Sequence, residues 1–265
     1  MASPAGVIVL LTDFGLRDPY VGVMKGVILS VHPEARIIDL SHDVPPQAIL
    51  DAYFILSNAY SYFPAGTIFV AVVDPGVGTH RAILAIQTDK YLFLAPDNGL
   101  LGFLEKDGKI KQIVHVRKSK YFLQPVSNTF HGRDIFAPVA AHLANGVEMS
   151  ELGPAVARME RIAAPMARVT KEGVILGEIV TIDRSGNLVT NIPGERLSGA
   201  DLVQVKVGRS MIPRISKAYA EGRKGALLAL VGSTGHLEIS VNKGDARKKT
   251  GSRVGDAIRV THSQT

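Results

Sequence analysis

In VVDPGVGTHRAILAI, residues 72–86, an apolar run ends at an acid, Asp74, and resumes just after a base, Arg81. A carboxylate and a guanidinium on either side of a turn holding Gly76 and Gly78 can face each other as a bidentate pair. The glycines let backbone pass close to a ligand because no Cβ intervenes. Such a pair either pins a loop or supplies a charged site. The stretch NTFHGRDIFAP, residues 128–138, sets His131 and Gly132 just before a helix-like run. Free N–H groups at a helix start disfavour a cation, so an imidazole held there is neutral and can act as a base. The bland alternative is a structural histidine, with Arg133 and Asp134 forming a solvated pair.

Other acids occupy similar places. Asp13 in LLTDFGLRDPY follows the first apolar run; an acid there can bind a ribose diol, ligate a divalent cation or cap a helix. Asp97 and Asn98 stand in the turn of APDNGLL. In the second half, TIDRSGNLVTNI carries Asp183, Ser185 and Asn187 in a hairpin-like turn, and VGSTGHLEISVN carries Ser233, Thr234 and Glu238. The eight histidines lack paired ligand spacing and there is no cysteine, so no zinc site is expected, while oxygen and nitrogen ligands remain open.

These residues need elements to position them. Through residue 150, Val- and Ile-rich runs alternate with helix-like segments over 19–32, 46–62 and DIFAPVAAHLAN. That pattern predicts a layered α/β domain with a mostly parallel sheet, whose functional groups gather at the carboxyl ends of the strands. Four runs finish at or near an acid, Asp13, Asp39, Asp74 and Asp97, and the expectation is that all four line one rim. Short apolar runs with Gly turns after residue 173 predict a small antiparallel β-barrel. The expected organisation is an N-terminal α/β domain over 1–152, a linker over 153–172 and a C-terminal β-barrel domain over 173–265.

Composition narrows the classes. The chain has 265 residues, 46% apolar and 20% charged, as ordinary globular proteins do. No apolar run has the length of a membrane span and the start lacks a basic leader, so a cytoplasmic protein without membrane association is expected. The net charge of +6 is spread along the chain except in KGDARKKTGSR, residues 243–253, which reads as a solvated loop. Two competing functions are a metal-dependent nucleotide phosphatase built on the strand-end acids and a nucleoside- or RNA-binding protein built on the β domain. Tyr219 is the only aromatic residue from 173 onward, which disfavours nucleic acid as a partner.

Taken in order, LLTDFG, DPGVGT with Arg81, APDNG, TFHGRDIFAP, DRSGNLVTNI and the GS, LEI and VN of residues 232–242 resemble the S-adenosyl-L-methionine hydroxide adenosyltransferases, relatives of the fluorinating and chlorinating enzymes. The resemblance implies hydrolysis of S-adenosyl-L-methionine to adenosine and L-methionine, with no cofactor and no metal. It implies a homotrimer whose active sites combine the N-terminal domain of one subunit with the C-terminal domain of the next. It assigns water activation to Asp74, Arg81 and His131, the ribose hydroxyls to Asp13, the methionine ammonium to Asp183, adenine to Asn187 and the methionine carboxylate to Ser233. The halogenating relatives carry Tyr where Asp74 stands, and Tyr then Ser where His131 and Gly132 stand, so this chain resembles the water-using branch. It has Thr234 where those relatives tend to have Arg, and lacks their aromatics beside the Gly-Asn pair.

Overall fold

VIVLLT, residues Val7–Thr12, forms strand β1 and is buried at all six positions, as a strand covered on both faces must be. The computed structural model describes residues 6–106, 108–197 and 203–262, and the chain divides into two units, Met1–Ile162 and Ala163–Thr265. In the first unit β1 is followed by α1 (Tyr20–Val31), β2 (Arg36–Ser41), α2 (Ile49–Ala59), β3 (Ile68–Val72), β4 (Ile83–Thr88), β5 (Leu92–Pro96), α3 (Phe103–Lys106), β6 (Ile110–His115) and α4 (Ala137–Ala144). The sheet order is β2-β1-β3-β5-β4-β6. Strands β2, β1, β3 and β5 are parallel, while β4 is antiparallel to both β5 and β6. The unit is therefore α/β with a mostly parallel sheet.

Period-2 alternation sends Ile8, Leu10, Ile68, Val70 and Val72 to one face of the sheet, where Met24 and Ile28 of α1 and the apolar residues of α4 cover them. Each fully buried aliphatic side chain in such a layer contributes about 1.5–3 kcal/mol. The topology fixes where chemistry can gather. Because β1, β3 and β5 are parallel, Asp13, Asp74 and Asp97 leave the sheet at one edge. Strand β4 starts at that same edge, pairing Ile83 with Pro96, and brings Arg81 there two residues earlier.

Asp39 departs from the expected rim of four acids. Strand β2 runs two residues beyond it to Ser41, so Asp39 sits within the strand opposite Leu10, where Lys25 and His42 occupy its carboxylate. The rim has three acids.

The turn after Asp74 needs glycine at one position above all. Gly78 has φ +77°, and a Cβ there would lie 2.2 Å from the carbonyl oxygen of Asn128. The turn thus rests directly on the segment leading to His131. That segment enters α4 through a π-helical turn, Gly132–Phe136, with His131 at its N-cap position. Wide turns of this kind are concentrated at functional sites.

The second unit contains β7 (Arg168–Val169), β8 (Ile175–Ile182), β9 (Leu188–Pro193), β10 (Val203–Val207), β11 (Ser210–Ile212), β12 (Ile215–Ser216), β13 (Leu227–Val231), β14 (His236–Val241), α5 (Ala246–Thr250) and β15 (Ala257–His262). The sheet order is β11-β10-β15-β8-β9-β14-β13-β12, with β7 on β8. All pairings are antiparallel except β12 with β13. The ends approach each other, β10 to β12 and β11 to β13, so the sheet curls into a nearly closed barrel. Inward residues such as Ile179, Leu188, Ile239 and Ile258 fill it.

The basic run 243–253 is not simply a loop. Asp245 accepts a hydrogen bond from the Lys248 N–H at 2.8 Å and starts α5, and Gly251 ends it at φ +70°. An N-cap acid and a C-terminal glycine are sufficient signals for a short helix even in a highly charged stretch.

Candidate active site

At the carboxyl edge of the first unit, Arg81 bridges two partners. Its Nε donates to both carboxylate oxygens of Asp74, at 2.8 and 2.9 Å, and its Nη2 donates to Asp74 Oδ2. Nη2 also reaches His131 Nδ1 at 2.8 Å. The Phe136 ring lies 5.9 Å from the guanidinium carbon and closes one side. The Asp74 and Arg81 side chains are only 5% and 11% exposed, so the pair is largely withdrawn from solvent. Such desolvation strengthens each electrostatic contact within it.

His131 is held neutral. Burial, followed by the Arg81 cation, pushes its pKa below the ordinary imidazole value, and the charges of Asp74 and Asp134 oppose this only in part. Asp134 itself is fully buried, so the pair it forms with Arg133 is not the solvated one of the bland alternative. Its carboxylate accepts from Arg133 Nε at 2.6 Å and from the Ser127 N–H at 2.8 Å, which ties the approach to His131 onto the π-helical turn.

Asp13 stands further along the rim. Its Oδ2 accepts from the Gln47 N–H at 2.9 Å, and among the described residues Oδ1 has no partner. The turn that carries Asp13 is backed by His42, whose Nδ1 is 2.8 Å from Thr12 Oγ1 and whose carbonyl accepts from the Gly15 N–H at 2.8 Å. Phe14, Phe130 and Tyr20 make edge-on or tilted ring contacts beside this turn, with centroids 5.0–5.9 Å apart. Gly132 faces them: a Cβ there would stand 3.2 Å from Met24, Phe14 and Phe130 atoms. Asp97 is committed elsewhere, accepting from the Glu160 N–H at 2.7 Å, with burial raising its pKa.

In the second unit, Asp183 and Asn187 are joined. The Asn187 N–H and side-chain amide each donate to the Asp183 carboxylate at 2.8 Å. Gly186 between them has φ +81°, and a Cβ would collide with the Asp245 carboxylate at 2.2 Å. Ser233 lies in the turn between β13 and β14, where the Gly232 N–H donates to the His236 carbonyl at 2.9 Å. Tyr219 donates to Glu238 Oε1 at 2.8 Å, and this bond, burial and the charges of Glu238 and Asp183 push its pKa up to about 12.

Spacing placed Asp74 with Arg81 and a position before a helix singled out His131, but Phe136, Thr12 and His42 escaped sequence reasoning, and Asp134 enters it only as half of a solvated pair. Each acts through a contact made in three dimensions, and only the polar Asp134 inside an apolar helical run carried a signal that burial could be read from. Among the described residues no group of three or more His, Asp or Glu side chains converges as metal ligands do. The phosphatase reading needs such convergence.

Comparison with known proteins identifies the family. Residues 8–153 match the family model for the SAM hydroxide adenosyltransferase N-terminal domain, and residues 177–259 match that for its C-terminal domain. The (R)-S-adenosyl-L-methionine hydrolase of Thermus thermophilus is 36% identical over 264 residues, covering 94% of this chain and 97% of the relative. A fluorinase from an Actinoplanes species is 25% identical, covering 96% of this chain and 97% of its own. The crystal structure of an uncharacterized conserved protein from Thermotoga maritima superposes with a TM-score of 0.90 at 38% identity, covering 96% of this chain and 99% of that one. With both halves matched and the relatives aligned over nearly their full length, the chain belongs to the SAM hydroxide adenosyltransferase family.

Proposed function

We propose that this protein hydrolyses S-adenosyl-L-methionine to adenosine and L-methionine by attack of an activated water on ribose C5′. The observation that carries the reading is Arg81 bonded at once to Asp74 and His131, with the Asp74 and Arg81 side chains largely withdrawn from solvent. S-Adenosylmethionine is a sulfonium, so breaking C5′–S releases a neutral thioether and no acid is needed at the leaving group. What the protein must supply is an oriented nucleophile. Arg81 orients the groups around the attacking water, while Asp74 fixes the guanidinium and offsets its charge. Holding water and C5′ at near-attack distance lowers the barrier further. The reaction uses no cofactor and no metal.

In this reading Asp13, with Oδ1 unengaged, holds the ribose hydroxyls. Asp183 meets the methionine ammonium and Asn187, whose Oδ1 remains unengaged, reads adenine. Ser233 binds the methionine carboxylate. These substrate contacts rest on the family resemblance, as do a homotrimeric assembly and a cytoplasmic location. No described helix is long and apolar enough to cross a membrane. Incubation with S-adenosylmethionine in ¹⁸O-labelled water tests the reaction: label on the adenosine 5′ oxygen is expected, and unlabelled adenosine or a different nucleoside product overturns it. Sedimentation of the protein tests the trimer.

A further inference from the structure

We infer that Asp74 takes the proton from the attacking water and that His131 works as a neutral hydrogen-bond donor through Nε2. The inference rests on the hydrolase reading above and assigns roles within that site. A guanidinium has five N–H donors and no acceptor. Arg81 Nη2 lies 2.8 Å from His131 Nδ1, so Nδ1 must present its lone pair to the guanidinium. The ring proton is then on Nε2. A ring turned over by half a revolution puts carbon against Nη2 and loses this bond, so the contact also fixes the ring's orientation.

This tautomer leaves His131 with no free basic atom. Accepting a proton at Nδ1 would break the bond to Arg81 and set one cation against another, in a place where burial already disfavours imidazolium. Asp134, the other carboxylate near the ring, is committed to Ser127 and Arg133. Asp74 differs. Its Oδ2 receives Nε and Nη2, but Oδ1 receives only Nε, so one lone-pair position on Oδ1 stays open. Among the described residues, Arg81 Nη1 and His131 Nε2 have no protein partner either, and both are donors. The trio therefore carries one open acceptor position, on Asp74, and open donors on Arg81 and His131.

The step balances. A lone pair of the water oxygen forms the bond to C5′ while the C5′–S pair leaves on sulfur, which passes from sulfonium to thioether. The oxygen, once bonded to carbon, is a strong acid and gives its proton to Asp74 Oδ1, turning carboxylate into carboxylic acid. That proton is later lost to solvent. A carboxylate is sufficient as the acceptor because transfer accompanies C–O bond formation rather than preceding it.

Long-range ¹H–¹⁵N NMR of ¹⁵N-histidine-labelled protein reads the ring nitrogens directly, with His131 identified by its loss in His131→Gln. At neutral pH Nδ1 is expected unprotonated and Nε2 protonated; the Nδ1–H tautomer or an imidazolium overturns the assignment. Kinetics provide the second arm. His131→Gln keeps a donor and no base, so its kcat should exceed that of His131→Ala by about tenfold or more, whereas Asp74→Asn should fall as low as Asp74→Ala. Turnover retained in Asp74→Asn and lost in His131→Gln also overturns it. The NMR reading needs no substrate, so failure of the hydrolase reading shows in the product analysis and failure of this assignment shows in the nitrogens.

Discussion

Asn98 donates its side-chain amide to the carbonyl oxygen of Val73 at 2.9 Å, one residue before Asp74. The turn following β5 thereby holds the end of β3, and with it the carboxylate that faces Arg81. Asn98→Ala leaves that carbonyl without its donor, a loss of about 1–3 kcal/mol. Expected outcomes are a lower midpoint in chemical denaturation and a reduced kcat, with KM little changed. An unchanged kcat in the folded variant would show that Asp74 is positioned without this bond.

Arg81→Lys should be nearly as damaging as Arg81→Ala. A guanidinium spans Asp74 and His131 because its nitrogens lie in one rigid fork, and an ammonium is a single point that cannot meet both. Loss of a positioned activating group lowers turnover by about 10²- to 10⁴-fold. Calorimetric titration with S-adenosylmethionine should show binding weakened far less than turnover, and the same division is expected for Asp74→Ala and His131→Ala. Asp13→Ala and Asp183→Ala should divide the other way.

The pH profile follows from the same contact. The pKa of His131 is lowered on folding by burial and by Arg81. The unfolded chain therefore binds this proton first as the pH falls. The stability tied to neutral His131 is complete above its unfolded value, near 6.5, and is lost as the pH drops through the lower folded value. Protonation also places N–H against N–H between His131 and Arg81. The acid limb of kcat/KM should accordingly have its midpoint below about 6.5. A midpoint at or above that value would show that folding does not depress the His131 pKa.

How much of this was legible beforehand depended on distance along the chain. The Asp74–Arg81 pair spans seven residues and a glycine turn, so spacing alone suggested it. His131 stands fifty residues from Arg81, and its place in the cluster came from family resemblance before the fold supplied the contact. The mostly parallel sheet was readable because continuous apolar runs imply strands covered on both faces. Asp39 misled because the end of a strand is set by pairing with its neighbour, which the sequence of β2 does not display. The capped helix α5 was hidden by its charge, and the buried Asp134 by its adjacency to Arg133.

His42 supports Asp13 from beneath. The ring is 3% exposed, with Nδ1 on Thr12 Oγ1 at 2.8 Å and Nε2 only 3.0 Å from Asp39 Oδ1. The geometry to Asp39 falls short of a well-formed hydrogen bond, so the contact with Thr12 is the stronger of the two. The Phe14 N–H in turn reaches Thr12 Oγ1 at 3.3 Å, which places the hydroxyl between the ring and the turn holding Asp13. Thr12→Val keeps the shape and removes the hydroxyl, at a cost of about 1 kcal/mol, whereas His42→Ala also opens a cavity and should cost about 2 kcal/mol or more. Both variants should raise the Kd for S-adenosylmethionine, and His42→Ala the more, because it opens a cavity beneath the turn as well. Denaturation midpoints paired with calorimetry separate the two effects: a stability loss with unaltered affinity would mean that the network holds β1 to β2 but does not set the position of Asp13.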